Sequence, residues 1–358
     1  MIDAYTAFGS HVRRHPGVHA DEIPPEAVWL DLRNPTRDEE MAIETLCGIE
    51  VPTREEMREI EVSSRLYSED GGDFMTASLV YGLDEGRPDF GPVTFILVQN
   101  RLITLRYTDP KSFHIFSTKL CRDGSGSGNG EGARSKQALP SPLHYGPPPA
   151  PPKPSRRGSQ SADSIMIGLL ETVIDRVADM LEAIAADLDR IGTDIFRSSD
   201  DKTPTPTADF QQLLKRIGAA GDLSSRTRES LATLDRLLPY LQFVLDRRKP
   251  QKELKLRVKA MARDVSSLND FVSFLSNKTT FLLDTTVGMI SIEQNAIIKI
   301  FSVAAVGFMP PTLVASIYGM NFTHMPELTW PLGYPMALGV MVLSALLPLL
   351  FFRHKKWL

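Results

Sequence analysis

The sequence predicts an α+β domain followed by a long α-helical stalk and two C-terminal membrane helices. Residues 300–322 and 330–352 are two stretches without a charged residue, separated by a short loop. About 20 apolar residues are enough to cross the hydrocarbon core of a bilayer as a helix. The residues before these stretches are mostly polar, and their apolar positions follow first strand-like and then helix-like spacings.

Residues 1–122 are predicted to form the α+β domain. Val28–Leu32 has the pattern of a short buried strand, and Arg37–Cys47 has apolar residues on one helix face. Thr53 and Glu56 have the spacing of a capping box. Three further strands are predicted, the last two joined by a tight turn at residues 99–101: Phe74–Leu83, Val93–Val98 and Leu102–Tyr107.

The same domain lacks the motifs of an enzyme. It contains no Gly-rich phosphate loop, no nucleophile motif and no metal-ligand spacing. Cys47 and Cys121 are expected to be reduced thiols, because two isolated cysteines do not form a disulfide framework. With a net charge of −4, the chain gives no reason to expect a nucleic-acid partner. We therefore expect a scaffold or sensor domain, no enzyme activity and no organic cofactor.

Residues 123–162 are rich in Gly, Ser and Pro and are predicted to be a disordered linker. Residues 163–296 are predicted to form a helical, coiled-coil-like stalk, with helices over Asp163–Arg197 and Thr207–Asp246 and a third that begins at Leu254. The third pattern continues to Asn321. We therefore expect one helix of about 100 Å that becomes the first membrane span and packs partly against copies of itself.

The two spans are predicted to form a hairpin with both termini in the cytoplasm. The first span covers residues 297–320, the outer loop 321–333, the second span 334–352 and a basic tail 353–358. The outer loop contains Glu327 and no Lys or Arg, whereas Arg353, Lys355 and Lys356 follow the second span, so the positive-inside rule fixes the orientation. The N-terminus has no signal-peptide pattern, and the first 122 residues are expected to stay inside.

Two helices in one chain cannot enclose a pore, so a transport function requires several copies around an axis. The first span is the better pore candidate, because small and polar residues recur along it at helical spacing: Asn295, Ser302, Ala305, Met309, Thr312, Ser316 and Asn321. The alternative for such residues is helix packing. Amide, hydroxyl and backbone oxygens bind weakly and suit the water shell of a cation that dehydrates reluctantly, as Mg²⁺ does.

The end of the first span resembles the CorA family of divalent-cation channels. The resemblance is carried by Tyr318-Gly319-Met320-Asn321, Met325-Pro326-Glu327-Leu328 and Gly333-Tyr334-Pro335. It is strong over residues 273–358 and rests on architecture over the remainder. The family is characterised by Gly-Met-Asn at the outer pore mouth, by a large N-terminal domain and by two C-terminal spans.

The resemblance implies a homopentameric channel in the bacterial inner membrane, with a funnel of long helices below the pore. It implies a selectivity filter of Gly319, Met320 and Asn321, with Glu327 in the outer loop, and a pore lined by Asn295, Ile298, Phe301, Met309 and Thr312. It also implies closure by cytoplasmic Mg²⁺, for which Asp284 and Asp109 are the candidate ligands. Arg353, Lys355 and Lys356 resemble the basic collar of the cytoplasmic mouth, and positive-inside anchoring explains them equally well.

The function predicted from these residues is membrane-potential-driven uptake of Mg²⁺, with Co²⁺ and Ni²⁺ as further candidate cargo. Mg²⁺ is then both transported ion and regulator, and the partners are the lipid bilayer and copies of the same chain. One alternative is a Zn²⁺ transporter of the same superfamily, whose members resemble a Gly-Ile-Asn variant, against which Met320 argues. The other is a membrane-anchored coiled-coil scaffold, which leaves Gly319-Met320-Asn321 unexplained.

Overall fold

The structure is a computed structural model that describes residues 1–8, 11–83, 86, 88–122, 160–198, 207–248, 251–320 and 330–355. Residues 123–159 of the predicted linker lie outside this range. The chain divides into two compact units. Residues 1–188 and 219–278 form the first unit, and residues 189–218 and 279–358 form the second unit.

The first unit is built around a mostly antiparallel sheet that has seven strands among the described residues. The strands are β1 (Ile2–Phe8), β2 (His11–Val18), β3 (Ala27–Arg33), β4 (Leu66–Glu69), β5 (Gly72–Tyr81), β6 (Asp89–Val98) and β7 (Arg101–Arg106). Their order across the sheet is β2-β1-β3-β7-β6-β5-β4. The pair β3–β7 is parallel and lies at the centre of the sheet.

All four predicted strands are confirmed, with ends displaced by a few residues. The predicted turn at residues 99–101 joins β6 to β7, and Gln99 takes a φ of 50° there, which suits a tight hairpin. The sequence analysis did not predict β1 and β2. β2 is an edge strand of the sheet, and β1 lies between β2 and β3 and pairs with both.

Short helices cover the sheet and fix its connections. They are α1 (Arg37–Cys47), α2 (Val62–Arg65) and α3 (Lys111–Arg122). The predicted helix at α1 is confirmed with the same bounds, and it opens with a capping box between Thr36 and Glu39. The capping box predicted at Thr53 and Glu56 is formed by reciprocal hydrogen bonds, but only a single 3₁₀ turn follows it.

Aromatic side chains form the core between the sheet and α3. The ring of Tyr5 stacks on Trp29 with centroids 4.1 Å apart, and Trp29 also contacts Phe113 and Phe116 of α3. Burial of such rings is the main favourable contribution to the stability of a core. The two cysteines are free thiols, as predicted, and burial raises the pKa of each.

Three long helices follow: α4 (Ala162–Ser198), α5 (Thr207–Arg248) and α6 (Lys252–Tyr318). They confirm the three periodic runs of the sequence, and α6 is the predicted helix that continues from the stalk into the first apolar stretch. In the first unit, a Cβ on Gly168 of α4 would lie 2.8 Å from the Phe116 ring, so glycine permits the close approach of α4 to α3. The last helix, α7 (Gly333–His354), belongs to the second unit.

Candidate ion pathway

The first two residues of the Gly-Met-Asn signature directly follow the last turn of α6. The N–H of Gly319 donates to the Ala315 oxygen at 2.9 Å, and that of Met320 donates to the Ile317 oxygen at 3.3 Å, so the helix tightens as it ends. A Cβ on residue 319 would lie 3.1 Å from the Ala315 oxygen, which is unusually close. Glycine therefore lets the chain leave the helix without displacing that carbonyl. The predicted site residues Asn321, Glu327 and Lys356 lie outside the described residues.

The apolar part of α6 has one face against α7 and an opposite face that is exposed. Val303 is 9 % exposed, a Cβ on Gly307 would lie 3.9 Å from Leu349 Cδ2, and Val314 continues this partly buried stripe. Roughly half a turn away on the exposed face are four of the predicted pore-lining residues: Ile298, Phe301, Met309 and Thr312. Asn295, also exposed, is about a quarter turn from the stripe.

The hydroxyl groups on the exposed face already donate their hydrogens to the helix. Thr312 Oγ1 donates to the Phe308 oxygen at 2.7 Å, and Ser302 Oγ donates to the Ile298 oxygen at 2.8 Å. A hydroxyl group that donates its one hydrogen still has oxygen lone pairs, which can accept hydrogen bonds. The water molecules around a cation point their hydrogens outward. The oxygens of Thr312 and Ser302 can therefore accept hydrogen bonds from that water shell.

Two adjacent prolines lie inside α6, at Pro310 and Pro311. Proline has no N–H, so the carbonyls of Val306 and Gly307 lose their usual helical donors. Membrane helices tolerate this where neighbouring groups or water satisfy the freed oxygens. The middle of the span thus offers backbone carbonyl oxygens in addition to hydroxyl groups.

Charged groups are absent from the apolar stretch of α6 that begins at Ile300. Between Ile300 and Met320 the chain has no Asp, Glu, Lys, Arg or His. Within the described residues, no three His, Cys, Asp or Glu side chains cluster so that they could hold a metal ion. The arrangement of α6 is therefore that of a weakly binding path, because a tight cation site would need carboxylates.

Asp109, one of the two predicted regulatory ligands, is held by two guanidinium groups in the first unit. Its Oδ1 accepts from Arg106 at 2.5 Å, and its Oδ2 lies 3.5 Å from Arg33. Arg106 also forms a buried two-pronged pair with Asp31, at 2.9 and 3.0 Å. Burial acts to lower the pKa of Arg106, but Asp31 and Asp109 outweigh it and raise that pKa. A cation at Asp109 would compete with both arginines.

The other predicted ionic residues lie on exposed surface of the second unit. Asp284, on α6, is exposed, and so are Arg353 and Lys355 at the end of α7. The structure does not bring these residues together with the exposed face of the span: Asp284 precedes Phe301 by several helical turns. They remain predicted sites for regulation and for the cytoplasmic mouth.

A set of polar contacts that the sequence analysis missed ties the sheet to α4 and α5. Arg226 pairs with Asp89 at 2.7 Å, Arg247 pairs with Asp73, and Arg248 donates to Asp163 at 2.9 Å. The Ser78 N–H donates to Thr233 Oγ1 at 3.0 Å. No local sequence pattern predicts such pairs, because the partners are far apart in the sequence. These bonds connect the sheet mechanically to the long helices.

Within the described part of the chain, α6 and α7 are the helices long and apolar enough to cross a membrane. Their most apolar windows are 0 % and 6 % buried within the protein. Core helices of soluble proteins would be covered by other elements, and large uncovered apolar surfaces mark a membrane or a partner. Both helices are therefore compatible with membrane spans.

The family model of the CorA-like Mg²⁺ transporter protein matches residues 25–134 and 152–354 of the chain. Over 360 residues, the chain is 31 % identical to the magnesium transport protein CorA of Escherichia coli, with 100 % of both chains covered. The complete structure of the CorA magnesium transporter from Methanocaldococcus jannaschii superposes with a TM-score of 0.66 at 15 % identity, covering 100 % of this chain and 99 % of that one.

A structure of the ZntB cytoplasmic domain from Vibrio parahaemolyticus also matches, with a TM-score of 0.53 at 10 % identity over 81 % of this chain and 97 % of that one. At such low identities the two structural matches show the shared fold. The family is shown by the family model and by the full-length sequence match. The chain belongs to the CorA-like Mg²⁺ transporter family.

Proposed function

We propose that this chain forms a homopentameric channel that admits Mg²⁺, together with Co²⁺ and Ni²⁺, across the bacterial inner membrane. The observation that carries the proposal is the exposed face of α6, which is uncharged and presents hydroxyl groups. This face lies opposite the stripe that packs on α7 and leads to Gly319 and Met320. Because two spans cannot enclose a pore, copies of this face are needed to surround one.

The residues of this face have distinct proposed roles. Gly319, Met320 and Asn321 select the hydrated cation at the outer mouth, and Thr312 accepts hydrogen bonds from its water shell further in. Met309 and Phe301, both strongly exposed on this face, form apolar constrictions. Such constrictions can close a pore by excluding water. Ile298 and Asn295 continue the path toward the cytoplasm.

The membrane potential drives the flux in this proposal. A divalent cation gains about 4.6 kcal/mol per 100 mV, twice the value for a single charge. The basic residues that follow α7 and the lone Glu327 between the spans support an orientation with both termini inside. Entry is then favourable without any nucleotide.

In this proposal the channel closes when the cytoplasmic Mg²⁺ concentration is high, and Asp284 is the first candidate ligand to test. Asp284 is exposed and able to face a neighbouring copy, whereas Asp109 must release Arg33 or Arg106 before it can bind a cation. We expect Asp284→Asn to raise the Mg²⁺ concentration at which flux stops. Unchanged closure in this variant would remove Asp284 from the mechanism.

The test of conduction is Mg²⁺ entry into proteoliposomes under an inside-negative potential. Wild type, Asn321→Ala and the control Asn269→Ala are compared, with cobalt hexaammine, a mimic of a hydrated cation, added outside. Asn269 is an amide on α6 that lies outside the apolar stretch. Loss of entry in Asn321→Ala alone, with the oligomer intact on sizing, and block of the wild type by the mimic support a channel that recognises Mg²⁺ through its water shell.

Two other outcomes assign a different function. Zn²⁺ entry that follows a proton gradient, without Mg²⁺ entry, would place the protein among the zinc transporters. A monomeric protein without any ion flux would favour the membrane-anchored scaffold. Loss of the oligomer in Asn321→Ala would show that this amide is structural.

A further inference from the structure

Ser316 lies on the exposed face of α6, between the residues assigned to the filter and those assigned to the inner pore. Its side chain is exposed, as is that of Thr312. Residues three and four positions apart are neighbours on one face of a helix, so Ser316 adjoins Thr312 on one side and Gly319 on the other. It lies about half a turn from Val314, which belongs to the stripe against α7. The sequence leaves its role open between the pore and helix packing.

The hydroxyl group of Ser316 differs from the other hydroxyl groups in the same part of α6. From residue 285 to residue 312, each serine or threonine of α6 donates its hydrogen to the carbonyl oxygen four residues earlier, at 2.7–3.1 Å: Thr285, Thr286, Ser291, Ser302 and Thr312. Ser316 Oγ makes no such bond and has no hydrogen-bond partner among the residues that the structure describes. Its hydrogen and its lone pairs are therefore both available to water.

A hydroxyl group without a partner is unfavourable in hydrocarbon. Lipid tails offer neither donor nor acceptor, so a serine that faces lipid is expected to donate its hydrogen to the helix backbone. Ser316 lies in the stretch of α6 that has no Asp, Glu, Lys, Arg or His. Its unpaired hydroxyl group is what we expect of a side chain that faces a water-filled path between copies of the chain.

We propose that Ser316 is a specificity-determining residue of the conduction path, which binds the water shell of the transported cation between the filter and Thr312. The inference rests on the proposed function, because it requires hydrated Mg²⁺ to pass along this face. Four residues of helix rise about 6 Å, so the cation moves from Ser316 to Thr312 in one short step with its shell retained. Because the Ser316 hydrogen is not bonded to the backbone, its oxygen can turn with the passing ion.

The first test asks whether position 316 faces water. Ser316→Cys and the control Leu347→Cys are made in the full chain together with Cys121→Ser, and the buried Cys47 stays. Proteoliposomes are treated with a charged methanethiosulfonate reagent, which reacts with thiolates in water. We expect fast labelling at position 316, slowed by cobalt hexaammine, and little labelling at the exposed apolar position 347. Labelling at position 316 that is no faster than at position 347 would overturn the proposal.

The second test compares Mg²⁺ entry into proteoliposomes by the wild type, Ser316→Ala, Ser316→Thr and the control Ser344→Ala. Ser344 is a serine of α7 whose hydroxyl group donates to the Met341 oxygen at 2.8 Å. In Ser316→Ala, the Mg²⁺ concentration for half-maximal entry and the cobalt hexaammine concentration for half block should each rise about fivefold or more, because a hydrogen-bond acceptor is lost. Ser316→Thr keeps an acceptor oxygen, so both concentrations should stay within about twofold of the wild type, as in Ser344→Ala.

The outcomes separate the role of Ser316 from the proposed function. Entry by the wild type with both concentrations unchanged in Ser316→Ala would overturn the role of Ser316 and leave the proposed function intact. Absence of Mg²⁺ entry in the wild type would overturn both. Loss of entry in Ser316→Ala and Ser316→Thr together with loss of the oligomer on sizing would show that Ser316 packs between copies instead.

Discussion

The two units place the same kinds of apolar residue in opposite environments. In the first unit, Trp29 and Phe95 are 0 % exposed within the sheet core. In the second unit, Phe308 is 75 % exposed and Leu347 is 58 % exposed. Removing an apolar side chain from water is favourable, and lipid tails provide an apolar environment as a protein core does. The first unit therefore folds around its own interior, whereas the second unit exposes apolar helix surface that is compatible with a lipid bilayer.

The two units also differ in where they place charged side chains. The first unit buries an ion pair, Asp31 with Arg106, and satisfies it with Thr104, Thr108 and Asp109. The apolar stretch of α6 in the second unit has no Asp, Glu, Lys, Arg or His between residues 300 and 320. A buried charge is tolerated in protein when fixed partners surround it, and hydrocarbon offers no such partners.

The largest expected effect comes from breaking the buried pair of the first unit. Asp31→Ala leaves the Arg106 guanidinium with its central partner removed, and we expect a cost of about 3–5 kcal/mol. The control, Asp194→Ala, breaks the exposed pair with Arg216 in the second unit and should cost at most about 1 kcal/mol. Hydrogen exchange of peptides from β3 and β7 measures the loss. Similar protection in the two variants would contradict the division of charge between the units.

A smaller effect is expected when a leucine is truncated in each unit. Leu30 is 0 % exposed, and Leu30→Ala should destabilise the sheet by about 2–5 kcal/mol through lost burial and a cavity. Leu347 faces outward on α7, and lipid or detergent can fill the space that Leu347→Ala leaves. Hydrogen exchange of β3 should therefore increase only in Leu30→Ala. An equally large loss of protection around α7 in Leu347→Ala would show that this face packs against protein.

The elements that could be predicted from the sequence are those with a strong period. α1 and α6 were predicted because apolar residues repeat every three or four positions along them. β2 was missed because it is an edge strand that contains Pro16, Arg13 and Arg14, which hide any alternation. β1 was missed because it is buried on both faces, where Asp3 is satisfied by Arg14 and by the Gly17 N–H. The edge position of β2 and the burial of both faces of β1 cannot be recognised without their partner strands.

The candidate pathway could be predicted only in part. The family resemblance supplied Gly319 and Met320, and the structure adds the reason for the glycine, a nearby carbonyl of Ala315. Which side of α6 packs against α7 could not be read from hydropathy, because both sides of a membrane helix are apolar. The contact between Gly307 and Leu349 settles that orientation. The buried Ser230 Oγ, which has no hydrogen-bond partner among the described residues, could not be predicted either, since its surroundings come from four separate elements.

The smallest expected effect concerns the pH dependence of the first unit. Burial and the neighbouring carboxylate of Glu171 raise the pKa of Asp175 on α4, Lys119 acts to lower it, and Asp179 and Asp264 raise it further. The folded chain therefore holds this proton more tightly than the unfolded chain. The resulting stabilisation is complete below the ordinary pKa of 3.8 and is lost as the pH rises through the raised value.

Asp175→Asn removes the ionised carboxylate from this acidic neighbourhood, so it should raise the melting temperature of the full chain at neutral pH. The gain should shrink as the pH approaches 3.8, where the wild-type carboxyl is itself protonated. Asp235→Asn, which removes an exposed carboxylate from α5, is the control and should change the melting temperature little. Melting curves across this pH range distinguish the two variants. A stabilisation by Asp175→Asn that is independent of pH would show that packing of the amide is responsible, and not relief of the burial and charge repulsion that raise the pKa of Asp175.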